Sequence, residues 1–161
     1  MTSRVGIGYD AHRFAAGRPL VLAGVTLEHP LGLQGHSDAD VVAHALMDAL
    51  LGAAGLGDIG RLFPDTDPRY AGARSVGLLE KVRARLAEAG WRVANVDVTV
   101  VCEAPRLSPY RDEMRAALAA ALGVYPDAVG LKGTTTEGMG FEGRGEGISA
   151  MAVCLLERDQ T

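Results

Sequence analysis

Residues 148–156 read ISAMAVCLL. In a strand, Ile148, Ala150, Ala152 and Cys154 fall on one side and Met151, Val153 and Leu155 on the other. Both faces are therefore apolar. Helices can cover one of them. The other needs a second cover, and a closed homo-oligomer with its sheets packed inward supplies it. The alternative cover is a pair of short strands near the N-terminus, folded over that face.

The rest of the chain supplies the partners of this strand. Residues 91–102, WRVANVDVTVVC, are valine-rich and free of Gly and Pro, which predicts a long strand. Residues 5–9 predict a short first strand. Residues 20–27, LVLAGVTL, predict a hairpin-like pair broken at Gly24, and residues 129–132 predict a strand leading into three threonines. Apolar residues at helical spacing run from Val41 through Leu46 to Leu50, with Asp38 or Ser37 as the cap and Gly52 as the stop. Residues 75–89 predict a second helix ended by Gly90, and Pro109 opens a third that Gly123 stops. Residues 31–37 and 138–147 read as loops, and residues 55–69 as a loop or a short turn of helix, long enough to close over a site. The expected fold is α+β: one mixed β-sheet of four or more strands with three helices on one face, a chorismate-mutase-like or ferredoxin-like layer. Its sheets would pack inward in the oligomer.

The chain has 161 residues, enough for a single domain over 1–161 with its own core. Apolar residues make up 48% and charged residues 22%, and no apolar run approaches a bilayer span. The opening MTSRVGIGYDAHR lacks the apolar segment of a signal peptide, which predicts a cytoplasmic protein with no membrane contact. A formal net charge of −4 argues against a nucleic-acid surface. Cys102 and Cys154 sit in apolar runs and read as reduced core residues.

Chemistry concentrates in a few places. Asp10 and His12, two apart, share one side of a strand. His36, Ser37, Asp38, Asp40, His44 and Asp48 follow, with Asp40, His44 and Asp48 on one helix stripe. Asp10, His12 and His44 would make a three-ligand N/O site that suits Zn²⁺, with a fourth position open. Asp48 or Asp40 would orient an imidazole from behind. The dipole of a helix N-terminus accounts equally for Asp38 and Asp40, but not for the histidines around them. Residues 131–138, LKGTTTEG, combine hydroxyls, backbone N–H groups and the rare Lys132 in a manner that suits phosphate, and Glu137 offers a hard oxygen to Mg²⁺ or Mn²⁺. A satisfied Thr-rich strand end explains them as well. GMGFEG at 138–143 has dinucleotide-loop spacing, but a strand follows it rather than a helix, so that reading fails.

These pieces fall into ordered blocks: GYDAH at 8–12, HSDADVVAH at 36–44, GDIGRLFPDTD at 57–67, NVDVT at 95–99, EAPR at 103–106, KGTTTE at 132–137 and GFEGRGEG at 140–147. Together they resemble the 2-C-methyl-D-erythritol 2,4-cyclodiphosphate synthase family of non-mevalonate isoprenoid biosynthesis, over essentially the whole chain. The resemblance implies a metal-dependent lyase that closes 4-diphosphocytidyl-2-C-methyl-D-erythritol 2-phosphate into the cyclic diphosphate and releases CMP. It implies a homotrimer with sites at subunit boundaries. It implies zinc on Asp10, His12 and His44, and a second divalent ion, Mg²⁺ or Mn²⁺, on Glu137 and the substrate phosphates. His36 and Ser37 would touch the erythritol phosphate, with Asp58, Ile59 and Gly60 beside it and Phe63, Asp65 and Asp67 at the same end. Cys102, Ala104, Pro105, Arg106, Leu107 and Ser108 would hold the cytidine, facing Thr134, Thr135, Thr136 and Glu137. Arg106 and Ser108 depart from the family's usual residues. His36 and Thr135 would stabilise the transition state, and Phe141 and Arg144 would close the site. Two rival readings use the same residues: a zinc phosphoesterase with water as nucleophile, and a non-enzymatic trimeric sensor taking a prenyl diphosphate in an axial cavity near Tyr9, Phe141 and Arg144.

Overall fold

The structure is a computed structural model that describes residues 1–160. In chain order the elements are β1 (Thr2–Ala15), β2 (Leu20–Leu22), β3 (Val25–Leu27), β4 (Gly32–Leu33), α1 (Val41–Ala54), α2 (Ile59–Leu62), α3 (Ser75–Glu88), β5 (Arg92–Val101), α4 (Arg111–Leu122), β6 (Val129–Thr134), α5 (Gly140–Gly143) and β7 (Gly147–Arg158). Five strands form a mixed sheet in the order β4-β1-β7-β5-β6, with β5 and β6 parallel and the other pairs antiparallel. β2 and β3 form a separate two-stranded ribbon. The expected α+β arrangement is borne out.

One face of the sheet is closed by helices. Val96, Val98, Val100, Ile148, Ala150, Ala152 and Cys154 are buried there against residues of α1, α3 and α4. α4 is clipped to the sheet by two arginines, Arg111 Nε donating to the Leu131 carbonyl and Arg115 Nε to that of Val129, each at 2.8 Å. The other face is open. Val5 and Ile7 are 70% and 67% exposed, and Tyr9, Met151 and Val153 join them across the β1–β7 register. The β2–β3 ribbon does not cover them, because its own Leu20, Leu22, Val25 and Leu27 are buried in the helix-side core.

β1 is far longer than residues 5–9. It pairs with β7 from Thr2 opposite Arg158 to Arg13 opposite Gly147, so Asp10 and His12 lie inside the strand rather than beyond its end. Pairing with a long neighbour overrides the weak β propensity of its glycines. Those glycines have a packing role. An added Cβ at Gly6 would sit 2.0 Å from the Ala49 carbonyl oxygen, and one at Gly8 would sit 1.9 Å from that of Ala45. α1 therefore rests backbone-on-backbone against β1.

The ends of α1 also differ from expectation. Asp40 is the cap, accepting the Ala43 N–H at 3.1 Å, and the same carboxylate accepts from Ala23 and Gly24. The helix runs through Gly52 and stops at Gly55, whose positive φ of 71° permits the left-handed turn. Short elements appear where loops were expected, β4 within 31–37 and α5 within 138–147, while α2 is the short turn of helix expected as one alternative within 55–69, and a further turn follows at Pro68–Tyr70. Gly52 and Gly77 lie inside helices with nothing within 4 Å of an added Cβ. Gly52→Ala or Gly77→Ala should raise stability by about 0.5–1 kcal/mol, read as a higher denaturant midpoint at unchanged slope.

Candidate active site

Alternation along β1 turns Gly6, Gly8, Asp10 and His12 to the helix side. The two glycines admit α1, and α1 then lowers His44 onto the two side chains that follow. His12 Nε2 lies 2.8 Å from Asp10 Oδ2 and 3.1 Å from His44 Nδ1, which lies 3.2 Å from Asp10 Oδ2. One ligand atom from each of these residues falls within 4.8 Å of the other two. The ring atoms facing away are committed elsewhere. His12 Nδ1 donates to the Gln34 carbonyl at 2.7 Å, and His44 Nε2 lies 2.9 Å from Ser75 Oγ and 3.1 Å from Ser37 Oγ. With those bonds made, three electron-pair donors converge on one point and repel unless a cation stands between them. Two imidazoles and a carboxylate fit a divalent metal ion.

A proton competes for the same point. Burial acts to raise the Asp10 carboxyl, but the His12 and His44 imidazoles against it overcome that and hold the group down at about 2. Burial acts to lower His12, but its bond to Asp10 prevails and raises it above 6.5. Asp10 is thus already ionised near neutrality, while His12 must shed its proton to bind a metal. Affinity for a divalent ion should rise with pH up to the elevated His12 value and flatten above it. Below that value ion binding should displace the His12 proton, a release measured calorimetrically in buffers of different ionisation enthalpy. Affinity independent of pH across that range would remove His12 from the ligand set.

Beside the triad lies a cavity of about 380 Å³. His36 and Ser37 line it, with Ile59, Gly60, Phe63 and Asp65 opposite. His36 is steadied by its Nε2 against the Asp67 carbonyl at 2.9 Å. Asp58 and Asp67 sit just behind, capping α2 and the Pro68–Tyr70 turn. Asp67 also pairs with Arg69 at 2.7 Å, and that partner lowers its carboxyl.

A second cavity, about 360 Å³, opens where the parallel strands β5 and β6 end. The carboxyl ends of parallel strands are where α/β layers leave room for ligands. Cys102, Pro105, Arg106, Leu107 and Ser108 line it together with Thr134 and Thr135. The Cys102 N–H donates to the Thr134 carbonyl at 3.1 Å and ties the two segments together. Burial pushes the Cys102 and Cys154 thiols up to about 11, as expected of core cysteines. Glu103 accepts from the Thr136 and Gly138 N–H groups, and Glu137 stands beside them with a positive φ of 55°. Ala104, Thr136 and Glu137 flank this cavity in sequence without lining it, and Phe141 and Arg144 line neither cavity. Arg144 pairs with Glu146 at 3.0 Å.

Two assignments change. Neither Asp40 nor Asp48 touches an imidazole: Asp40 is spent on backbone N–H groups, and Asp48 accepts the Ile59 N–H at 2.9 Å. Lys132 edges the second cavity, but its ammonium is held by both Asp97 oxygens at 2.7 and 2.8 Å. Residues that sequence reasoning missed are Met47, Tyr70, Leu78 and Ser75. The first three are apolar or aromatic linings with no chemical label, and Ser75 looked like an ordinary helix start.

The sequence pattern of the YgbB family matches residues 3–157, and the chain belongs to that family. The 2-C-methyl-D-erythritol 2,4-cyclodiphosphate synthase of Methylococcus capsulatus is 61% identical over 155 residues, covering 96% of this chain and 98% of the relative. The bifunctional enzyme IspD/IspF of Anaeromyxobacter dehalogenans is 60% identical over 153 residues, covering 95% of this chain. The chain spans 39% of that bifunctional relative's length. A solved 2C-methyl-D-erythritol-2,4-cyclodiphosphate synthase, described as its CDP-bound form, superposes with a TM-score of 0.88 at 40% identity, covering 96% of this chain and all of the other. The resemblance read from the sequence blocks is borne out. No helix among the described residues is long and apolar enough to cross a membrane.

Proposed function

We propose that the chain, as a single domain over residues 1–161, converts 4-diphosphocytidyl-2-C-methyl-D-erythritol 2-phosphate into 2-C-methyl-D-erythritol 2,4-cyclodiphosphate and CMP in the cytoplasm. The observation that carries this reading is the Asp10–His12–His44 donor set beside a cavity, in a chain so similar to synthases of that name. An oxygen of the 2-phosphate attacks the β-phosphorus. The bond from that phosphorus to the bridging oxygen breaks, and the oxygen leaves with CMP. A phosphate monoester has its second pKa near ~6, so the nucleophile is already largely dianionic at neutral pH and no strong base is needed.

The barrier is the meeting of like charges. At ~4 Å two unit charges repel by about 1 kcal/mol in water and several times more in a partly dehydrated cleft. A chain of net charge −4 offers no help at long range, so countercharge must be local. Asp10, His12 and His44 would hold Zn²⁺, and Glu137 a second ion, Mg²⁺ or Mn²⁺, to neutralise phosphate oxygens as charge develops. The protein's own residues position the rest. Cys102 to Ser108 with Thr134, Thr135 and Thr136 hold the nucleotide end. His36, Ser37 and the 58–67 segment hold the erythritol end and exclude water that would otherwise hydrolyse the diphosphate. His36 and Thr135 donate to oxygens that gain charge in the transition state.

The two cavities share no lining residue within one chain. A homotrimer that seals Val5, Ile7, Tyr9, Met151 and Val153 would bring one chain's nucleotide cavity against a neighbour's metal cavity, with Phe141 and Arg144 near the boundary. Sedimentation equilibrium should give three times the chain mass, and a monomer alone would refute the assembly. The activity itself is tested by incubating the protein with the cytidylyl substrate and Mg²⁺ and following ³¹P resonances. CMP and a cyclic diphosphate are expected. An open-chain phosphate would make the protein a hydrolase, and an unchanged substrate would leave it a binder.

A further inference from the structure

We infer that Ser75 and Asp38 are positioning residues that fix the tautomer and orientation of His44, linked as a directed chain from imidazole to hydroxyl to carboxylate. The inference rests on the reading of His44 as a metal ligand.

The proton count gives the direction. His44 Nδ1 faces Asp10 and His12, so ligation of a metal through it requires the one N–H of a neutral ring to lie on Nε2. That atom has two oxygens in reach, Ser75 Oγ at 2.9 Å and Ser37 Oγ at 3.1 Å. Ser75 Oγ is itself 2.5 Å from Asp38 Oδ1, and a carboxylate can only accept. The Ser75 hydroxyl proton therefore belongs to Asp38, and the lone pairs of Ser75 Oγ are left to accept from His44. Ser37 Oγ, 3.3 Å from Ser75 Oγ, keeps its own proton for other partners. Ser75 has no exposed surface, so no water substitutes for it.

Helix capping explains only part of this. Asp38 Oδ2 accepts the Ser75 N–H at 3.1 Å, which ties down the start of α3 and would do so with alanine at 75. It gives no reason for a buried hydroxyl aimed at a histidine. His12 achieves the same end by another route, its Nδ1 held by the Gln34 carbonyl. The two imidazoles are thus each locked from behind, one by backbone and one by a carboxylate acting through a hydroxyl. Such outer partners raise ligand basicity, and their loss typically costs about 10–100-fold in metal affinity.

The test uses the full chain stripped of metal by chelation. In the unaltered protein, ¹⁵N spectra of the His44 ring should show the proton on Nε2, and a proton on Nδ1 would overturn the proposal without any substitution. Ser75→Ala should bind zinc about 10–100-fold more weakly in competition with a chromophoric chelator and show a mixed His44 tautomer, while its metal-free melting temperature stays close to that of the parent. Asp38→Asn should fall between the two. Zinc affinity in both variants within about twofold of the parent would sink the positioning role alone. A parent chain that binds no zinc would instead sink the metal reading, and this inference with it.

Discussion

His44→Ala should fold but lose both metal binding and nearly all turnover. The side chain is the only ligand of the triad carried by α1, and no other residue of that helix reaches Asp10 and His12. Two ligands at positions i and i+2 of one strand cannot enclose an ion that three donors shared. Losing about 4 kcal/mol of phosphate-charge stabilisation corresponds to a rate loss of roughly a thousandfold. The fold persists because α1 is held by Val41, Val42, Leu46, Leu50 and Leu51, all buried, and by its Asp40 cap. His29 is the control. It stacks on Phe14 with ring centroids 5.2 Å apart and bonds Leu31, away from both cavities. His29→Ala should keep metal and turnover. Zinc content by atomic absorption and CMP release decide the matter together, and an active, zinc-replete His44→Ala protein would refute the ligand assignment.

Gly8→Ala should harm the protein severely. The new Cβ would lie 1.9 Å from the Ala45 carbonyl oxygen and 2.7 Å from the Ala49 nitrogen. Both are backbone atoms of a helix, so no rotamer change relieves the clash and α1 must lift away. Overpacking of this kind costs about 3 kcal/mol. In a domain of this size that lowers the melting temperature by roughly 10 °C. The damage extends to chemistry, because lifting α1 withdraws His44 from Asp10 and His12, and a displacement of ~1 Å at a reacting centre costs about a hundredfold. Stability and metal affinity should fall together. Gly52→Ala, in the same helix but facing open space, should do the reverse for stability. A Gly8→Ala protein with parental melting temperature and metal affinity would show that the strand–helix approach is looser than described.

Local pattern carried a good deal of this. The two-sided apolarity of residues 148–156 implied an uncovered sheet face, and Met151 and Val153 are exposed on it. The triad was legible because a strand puts i and i+2 on one side, and because histidines are few. The ordered blocks carried the family. Element ends were read less well. Asp38 and Asp40 are both acceptable caps by composition, and which one caps α1 depends on which N–H groups the folded chain brings near. Asp40 meets Ala23, Gly24 and Ala43, whereas Asp38 meets Ser75 at the start of a different helix.

The sequence alone determined what depends on neighbours along the chain: the strand and helix periods, the pairing of Asp10 with His12, and the small Gly6 and Gly8 on the same side. The tertiary structure alone decided what depends on residues remote in sequence. It brought His44 onto Asp10 across 34 positions, set Ser75 behind His44 across 31, and gave Lys132 to Asp97 instead of to a ligand. The reason is physical. Periodicity reports which side of an element a residue faces, but a hydrogen bond also requires distance and direction between two elements. Those are set only when α1 settles against bare glycine backbone and the rest of the core packs around it.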